Sequence, residues 1–115
     1  DWTADTGLKI GVDLNLGVGG YTAIFAANDY LALGLMKALR LRGIEVPRDI
    51  SLIGFDDIPE ATYLTPALTT MRQDFKGLGE AAMGMLLAEL ANSDPTTREN
   101  LIPEIIVRES TSPLK

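Results

Sequence analysis

The sequence predicts an α/β fold, a mainly parallel sheet flanked by helices. Three observations point there. Short apolar runs alternate with longer stretches of helical periodicity, the pattern of repeated strand–helix units. The runs at residues 22–27 and 50–55 are almost continuously apolar rather than alternating, as in parallel strands covered on both faces. Most boundaries carry Gly, Pro, Asn or Asp, the residues that punctuate turns.

Residues 4–14 have weak helical character. Leu8, Val12 and Leu14 are placed to share a face, while Gly7 and Gly11 weaken the helix. Residues 17–20, mostly glycine, read as a flexible connection. Residues 22–27 follow as a buried strand. Asn28 or Asp29 then caps a helix reaching about Arg42. Its apolar stripe is Leu31, Leu35 and Leu39 with Met36; Arg40 and Arg42 suit its carboxy end, and Gly43 supplies a left-handed stop. A turn at 44–49 leads to a second strand, 50–55, which ends in Asp56 and Asp57. Residues 58–66 hold two prolines and form a loop with room for one helical turn. A third strand spans 68–72. Asp74 caps a long amphipathic helix, about 75–91, whose stripe of Phe75, Leu78, Ala82, Met85, Leu86 and Leu90 reads as core. Residues 92–100 are polar and read as mobile, 102–108 as a final strand, and the tail to Lys115 as ragged. No internal repeat is visible.

Composition narrows the function. The chain has 115 residues, enough for one domain or part of one and for a modest core. Sixteen acidic residues against ten basic ones give a formal net charge of −6. Binding a phosphate backbone takes many Lys and Arg contacts. Here Arg40 and Arg42 are the densest pair, and Arg48, Arg72, Arg98 and Arg108 stand alone. The chain by itself is a poor DNA binder. With no Cys and no His there are no disulfides, thiolate nucleophiles, Cys/His zinc sites, His bases or Ser-His-Asp triads. Catalysis would fall to carboxylates, Lys, Tyr or a hard metal. Lack of Cys suits a reducing cytosol and is compatible with the periplasm. No apolar run is long enough to span a bilayer, and the polar start shows no signal pattern. A start without Met points to a fragment.

Ligands of open α/β sheets bind beyond the carboxyl ends of the strands. Two predicted strands end in polar pairs there, Asn28-Asp29 and Asp56-Asp57. A carboxylate accepts several hydroxyl hydrogen bonds and an amide both donates and accepts, which suits a polyol or sugar. Trp2 and Phe75 are candidate aromatic faces for a sugar ring. Plainer roles stand beside each: Asn28 as a helix cap, Asp56-Asp57 as an ordinary turn, Phe75 as core, Trp2 as surface packing. The G-V-G-G-Y-T run at 17–22 resembles a dinucleotide fingerprint but precedes a strand instead of following one. No Walker-type loop occurs. Asp56 and Asp57 also suit Mg²⁺, though without a companion Lys or nucleotide loop.

Four segments in order resemble the LacI/GalR family of transcriptional regulators. T-A-I-F-A-A-N-D at 22–29 with L-A-L-G at 31–34 is similar to its A-N-D-x-x-A-x-G segment. Residues 43–57 resemble G-x-x-V-P-x-D-x-S-x-x-G-F-D-D. P-A-L-T-T-M-R-Q at 66–73 resembles P-x-L-T-T-x-x-Q, and R-E-S-T at 108–111 matches a closing R-x-S-T. Asp1-Trp2-Thr3 is similar to the G-D-W that opens a helix. The match runs over nearly the whole chain.

The resemblance implies a periplasmic-binding-protein-like (type I) fold of two α/β lobes joined by crossing strands, with a small polar effector in the cleft between them. It implies effector contacts at Trp2, Asn28, Asp56, Gln73 and Phe75, and a dimer surface at Leu33 and Tyr63. Neither cofactor nor metal is implied. The expected protein is the effector-binding and dimerisation core of a cytoplasmic repressor, not an enzyme. Operator DNA would be bound only through a headpiece absent from this chain. A sugar-binding protein of a transport system shares the fold and is the alternative; a carboxylate or Mg²⁺ enzyme is a third reading. Sugars, purines and other metabolites are all effectors in the family. Residues 1–115 lack the headpiece, the first lobe and the strand–helix–strand that opens the second lobe. An incomplete lobe is therefore expected, with an open sheet edge, an unpartnered long helix and half an effector site, which favours oligomerisation.

Overall fold

The computed structural model describes residues 1–16, 20–93 and 101–114. Most of the connection expected at 17–20 and of the polar stretch expected at 92–100 lies outside them. The chain divides into two units, Asp1–Arg72 with Ile105–Lys115, and Gln73–Glu104.

The first unit contains α1 (Ala4–Asp13), β1 (Ala23–Phe25), α2 (Asp29–Leu41), β2 (Ser51–Asp56), a 3-10 turn at Pro59–Thr62 and β3 (Thr69–Arg72). With β4 (Glu104–Ile106), at the junction of the units, the strands are ordered β1-β2-β3-β4. β1 runs parallel to β2, pairing Phe25 with Ile53, and β2 runs parallel to β3, pairing Asp56 with Arg72. The expected α/β class and parallel sheet are present.

α2 forms where the sequence places it. The Asn28 side chain accepts from the Leu31 amide at 2.8 Å, satisfying one of the amides a helix start leaves without a partner. Gly43, at φ +73°, allows the left-handed exit. One face of α2 (Ala32, Leu35 and Met36) joins Ala26, Leu52, Ala61 and Leu68 in the core. Leu39, Leu52 and Leu68 are fully buried, each worth about 1.5–3 kcal/mol relative to exposure.

α1 packs in a way its apolar residues do not suggest. Leu8 is half-buried and Val12 exposed; the buried residues are Gly7 and Gly11. A Cβ on Gly7 would collide with the Leu31 carbonyl oxygen, and one on Gly34 with that of Ala4. The two helices approach backbone to backbone because glycine lines the contact. At the far end, the Arg42 guanidinium donates to the carbonyls of Gly11 and Leu14, both at 2.7 Å, capping α1.

Three other expectations need correction. β1 is shorter than 22–27 and is not covered on both faces: it is an edge strand, and Phe25 is 62% exposed. The final strand is limited to Glu104–Ile106. The tail is tied down rather than ragged up to Ser112. Ser110 is buried, its hydroxyl donates to Leu52 O at 2.6 Å, and its backbone oxygen accepts from the Leu52 amide at 2.8 Å.

The second unit is built on α3 (Phe75–Leu90). Asp74 caps it as expected, accepting from the Gly77 amide at 2.9 Å. The stripe read as core is not core here, since α3 buries none of its residues; Phe75, Leu86 and Leu90 are all exposed. Apolar periodicity marks residues suited to burial, and among the described residues none closes over the stripe; Leu101, Ile102 and Pro103 only line an open cleft beside Leu78, Ala82 and Met85.

Candidate functional site at the carboxyl rim of the sheet

Parallel pairing carries β1 and β2 to the same rim. Asn28 stands three residues beyond Phe25 and Asp56 three beyond its partner Ile53. The alignment extends past β1, where the Ala26 amide donates to Ile53 O at 2.8 Å.

Asn28 does two structural jobs. Its oxygen caps α2, and its Nδ2 donates to the Trp2 carbonyl at 3.1 Å, fixing the start of α1 at the rim. These bonds use one of its two amide hydrogens and one of its two oxygen lone pairs. The Trp2 side chain is 65% exposed, open for stacking. Asp56 is half-buried, with φ +116°, outside the regions an L-residue ordinarily occupies. Such backbone persists only where the surroundings hold it, and it gathers at functional sites.

The restraint comes from Asp29, Asp57, Arg72 and Arg108. Asp29 is fully buried; Thr70 Oγ1 donates to its Oδ1 at 2.6 Å and the Ile58 amide to its Oδ2 at 2.9 Å. Burial raises its pKa above the ordinary carboxylate value. Bonds from Thr70 and Ile58 oppose that shift, while repulsion from Asp56 and Asp57 adds to it. Gly54 leaves room for this carboxylate, since a Cβ there would collide with Asp29 Oδ1. Asp57 receives Arg72 Nε at 2.6 Å on one oxygen and Arg108 Nη2 at 2.7 Å on the other. Burial raises its pKa, but hydrogen bonds and charge from Arg108 and Arg72 outweigh burial and hold it below the ordinary value.

Each expected residue can now be placed. Trp2, Asn28 and Asp56 belong to the first unit, and the first two share a hydrogen bond. Gln73 and Phe75 belong to the second, with Phe75 56% exposed. On α2 Leu33 is half-buried, and Tyr63 is 84% exposed. Sequence reasoning missed Asp29 as a brace and the Arg72–Asp57–Arg108 cluster. The signals available were a second polar residue beside the cap and two lone arginines, one ending β3 and one two residues beyond β4. The Mg²⁺ reading is weakened because both Asp57 oxygens already meet guanidinium groups. Among the described residues, no group of three acidic side chains is arranged to hold a metal.

A cleft of about 500 Å³ lies elsewhere, where β1 and β2 begin, lined by Thr22, Arg48, Asp49, Ser51, Thr111 and Ser112 among others. It is at the rim opposite the one where ligands of such sheets bind.

Parallel strands thus deliver an amide and a carboxylate to one rim, the end at which open α/β sheets bind their ligands. Residues 8–111 match the periplasmic binding protein-like domain, and the chain belongs to that family. Its relatives are regulators of the LacI type rather than enzymes. The HTH-type transcriptional regulator MalR of Streptomyces coelicolor is 40% identical over 92 residues, covering 79% of this chain and 27% of its own length. The lac repressor dimer bound to operator and the anti-inducer ONPF superposes with a TM-score of 0.85 at 35% identity, over 96% of this chain and 39% of that one. A LacI family regulator from Enterococcus faecium with bound ribose gives a TM-score of 0.78 at 34% identity, over 98% and 42%. The chain thus spans about a quarter of the curated relative and about two-fifths of the solved chains.

Proposed function

We propose that this chain is the effector-binding and dimerisation part of a cytoplasmic LacI-type transcriptional repressor, responding to a sugar or related small polar metabolite. One observation carries the reading: Asn28 and Asp56 stand at equal offsets past paired residues on adjacent parallel strands. Asp56 accepts hydroxyl hydrogen bonds, Asn28 both donates and accepts, and Trp2 offers a ring face. Gln73 and Phe75 are carried over from the family resemblance. The relatives support a regulator over a transport protein: one is described as a dimer on its operator, another with ribose bound. Leu33 and Tyr63 are the proposed dimer contacts. With a net charge of −6, this part leaves operator binding to a basic module elsewhere in the longer protein. No described helix is long and apolar enough to cross a membrane.

The test is calorimetry of D-ribose binding to the full-length protein and to Asp56→Asn. Losing a charged acceptor weakens binding by about 1.5–3 kcal/mol, about tenfold to 150-fold. Equal affinity in both proteins removes Asp56 from the site.

A further inference from the structure

We infer that Asp57 is a positioning residue that couples the rim to both chain connections between the two units, an inference that rests on the effector site proposed above. The chain passes between the units twice, after Arg72 and before Ile105. Arg72 is the last residue of the first unit before one passage, and Arg108 is the first cation after the other. Both guanidinium groups end on the same carboxylate, one on each oxygen of Asp57.

The two pairs are unequal. Arg108 is 15% exposed; its Nη1 also donates to Leu68 O at 2.8 Å and its backbone amide to Thr69 Oγ1 at 2.9 Å. Arg72 is 52% exposed and its contact is open to water. Ion pairs sheltered from solvent hold geometry more firmly than exposed ones. Asp57 therefore roots the second passage and steers the first more softly. It stays ionised in doing so, because the two guanidinium groups hold its pKa below the ordinary value.

Asp56 sits directly upstream of this clamp. Residues 56 and 57 both have left-handed backbone, at φ +116° and +58°, and the next amide, of Ile58, is held by buried Asp29. A rigid peptide plane joins Asp56 to Asp57. A guest that moves the Asp56 backbone therefore also moves Asp57, and with it both guanidinium groups. If Asp57 only balanced charge for stability, the two arginines would not need to flank the two passages.

The test is a double-mutant cycle read by hydrogen exchange on the 115-residue chain, without ligand. Asp56→Gly frees the backbone at that position, because glycine has a far wider range of φ and ψ open to it than an aspartate held at φ +116°. The expected result is faster exchange by about tenfold at the Gln73, Arg108 and Glu109 amides, with the α2 amides unchanged. In an Asp57→Asn background the same substitution should have no effect on those amides. Equal effects in both backgrounds, or a response at one passage alone, overturn the inference. If Asp57→Asn also loses α2 protection, Arg72→Gln replaces it as the second variant. Arg72→Gln should uncouple Gln73 while Arg108 and Glu109 still respond to Asp56→Gly, and a response at Gln73 overturns the inference. The cycle contains no sugar, so equal ribose affinity of wild type and Asp56→Asn would sink the site reading without changing this result.

Discussion

Replacing Gly54 by alanine tests whether Asp29 is as tightly held as its contacts indicate. The added methyl would collide with Asp29 Oδ1 and stand 3.0 Å from Leu68 Cδ2. Asp29 has little room to retreat, because Thr70 holds one oxygen at 2.6 Å and the Ile58 amide holds the other at 2.9 Å. Giving up one hydrogen bond to a charged group costs about 1.5–3 kcal/mol. Forcing a methyl into a packed site costs a further ~1–3 kcal/mol. Gly54→Ala should therefore destabilise the protein by about 2.5–6 kcal/mol. Urea unfolding followed by circular dichroism measures this as a lower midpoint at constant slope. Gly43→Ala is the control: no atom beyond its chain neighbours lies within 4 Å of the new Cβ, so the cost comes from its φ of +73° alone, about 1–2 kcal/mol. In an Asp29→Ala background only the looser contact with Leu68 Cδ2 remains, so Gly54→Ala should cost less than half as much. A Gly54→Ala protein within about 1 kcal/mol of wild type, or an equal cost in both backgrounds, refutes the brace.

Three further outcomes are expected. The two carboxylates give stability opposite pH dependence. As pH rises from the ordinary value of 3.8 through the raised folded value of Asp29, the unfolded chain loses its proton first and stability falls. As pH falls below 3.8 through the lowered folded value of Asp57, the unfolded chain gains its proton first and stability again falls. Urea midpoints across pH should show Asp29→Asn flattening the first slope and Asp57→Asn the second; unchanged slopes contradict the assignment. Arg42→Ala should cost about 1–2 kcal/mol and speed amide exchange in α1, because two carbonyls at its end lose their donor; unchanged exchange would mean the cap is idle. In sedimentation velocity the chain should run as a dimer or larger species, because α3 and the β1 edge are uncovered; a monodisperse monomer contradicts this.

Much of the fold is legible because several local signals agree. α2 has a cap, an apolar stripe and a glycine stop in register, and β2 is a compact apolar run with polar ends. α1 was harder to read because propensity scores glycine as a helix breaker. At Gly7 and Gly11 it serves instead as a contact surface against Leu31, Leu35 and Ala38. α3 shows the limit of periodicity, which marks Phe75 and Leu86 for burial without saying what covers them. At the rim, the Asn28-Asp29 pair shows that two polar residues start the helix, but not which one caps and which is buried. The meeting of Arg72 and Arg108 on Asp57 is set by tertiary structure, across sequence separations no local pattern spans.

The grip of α2 on α1 has a mechanical consequence. Asn28 holds the Trp2 carbonyl at one end, Arg42 holds Gly11 and Leu14 at the other, and glycines close the contact between. Clamped at both extremities, the pair behaves as a splint. It resists sliding of one helix along the other, so α1 and α2 are held as one piece from Asn28 to Arg42.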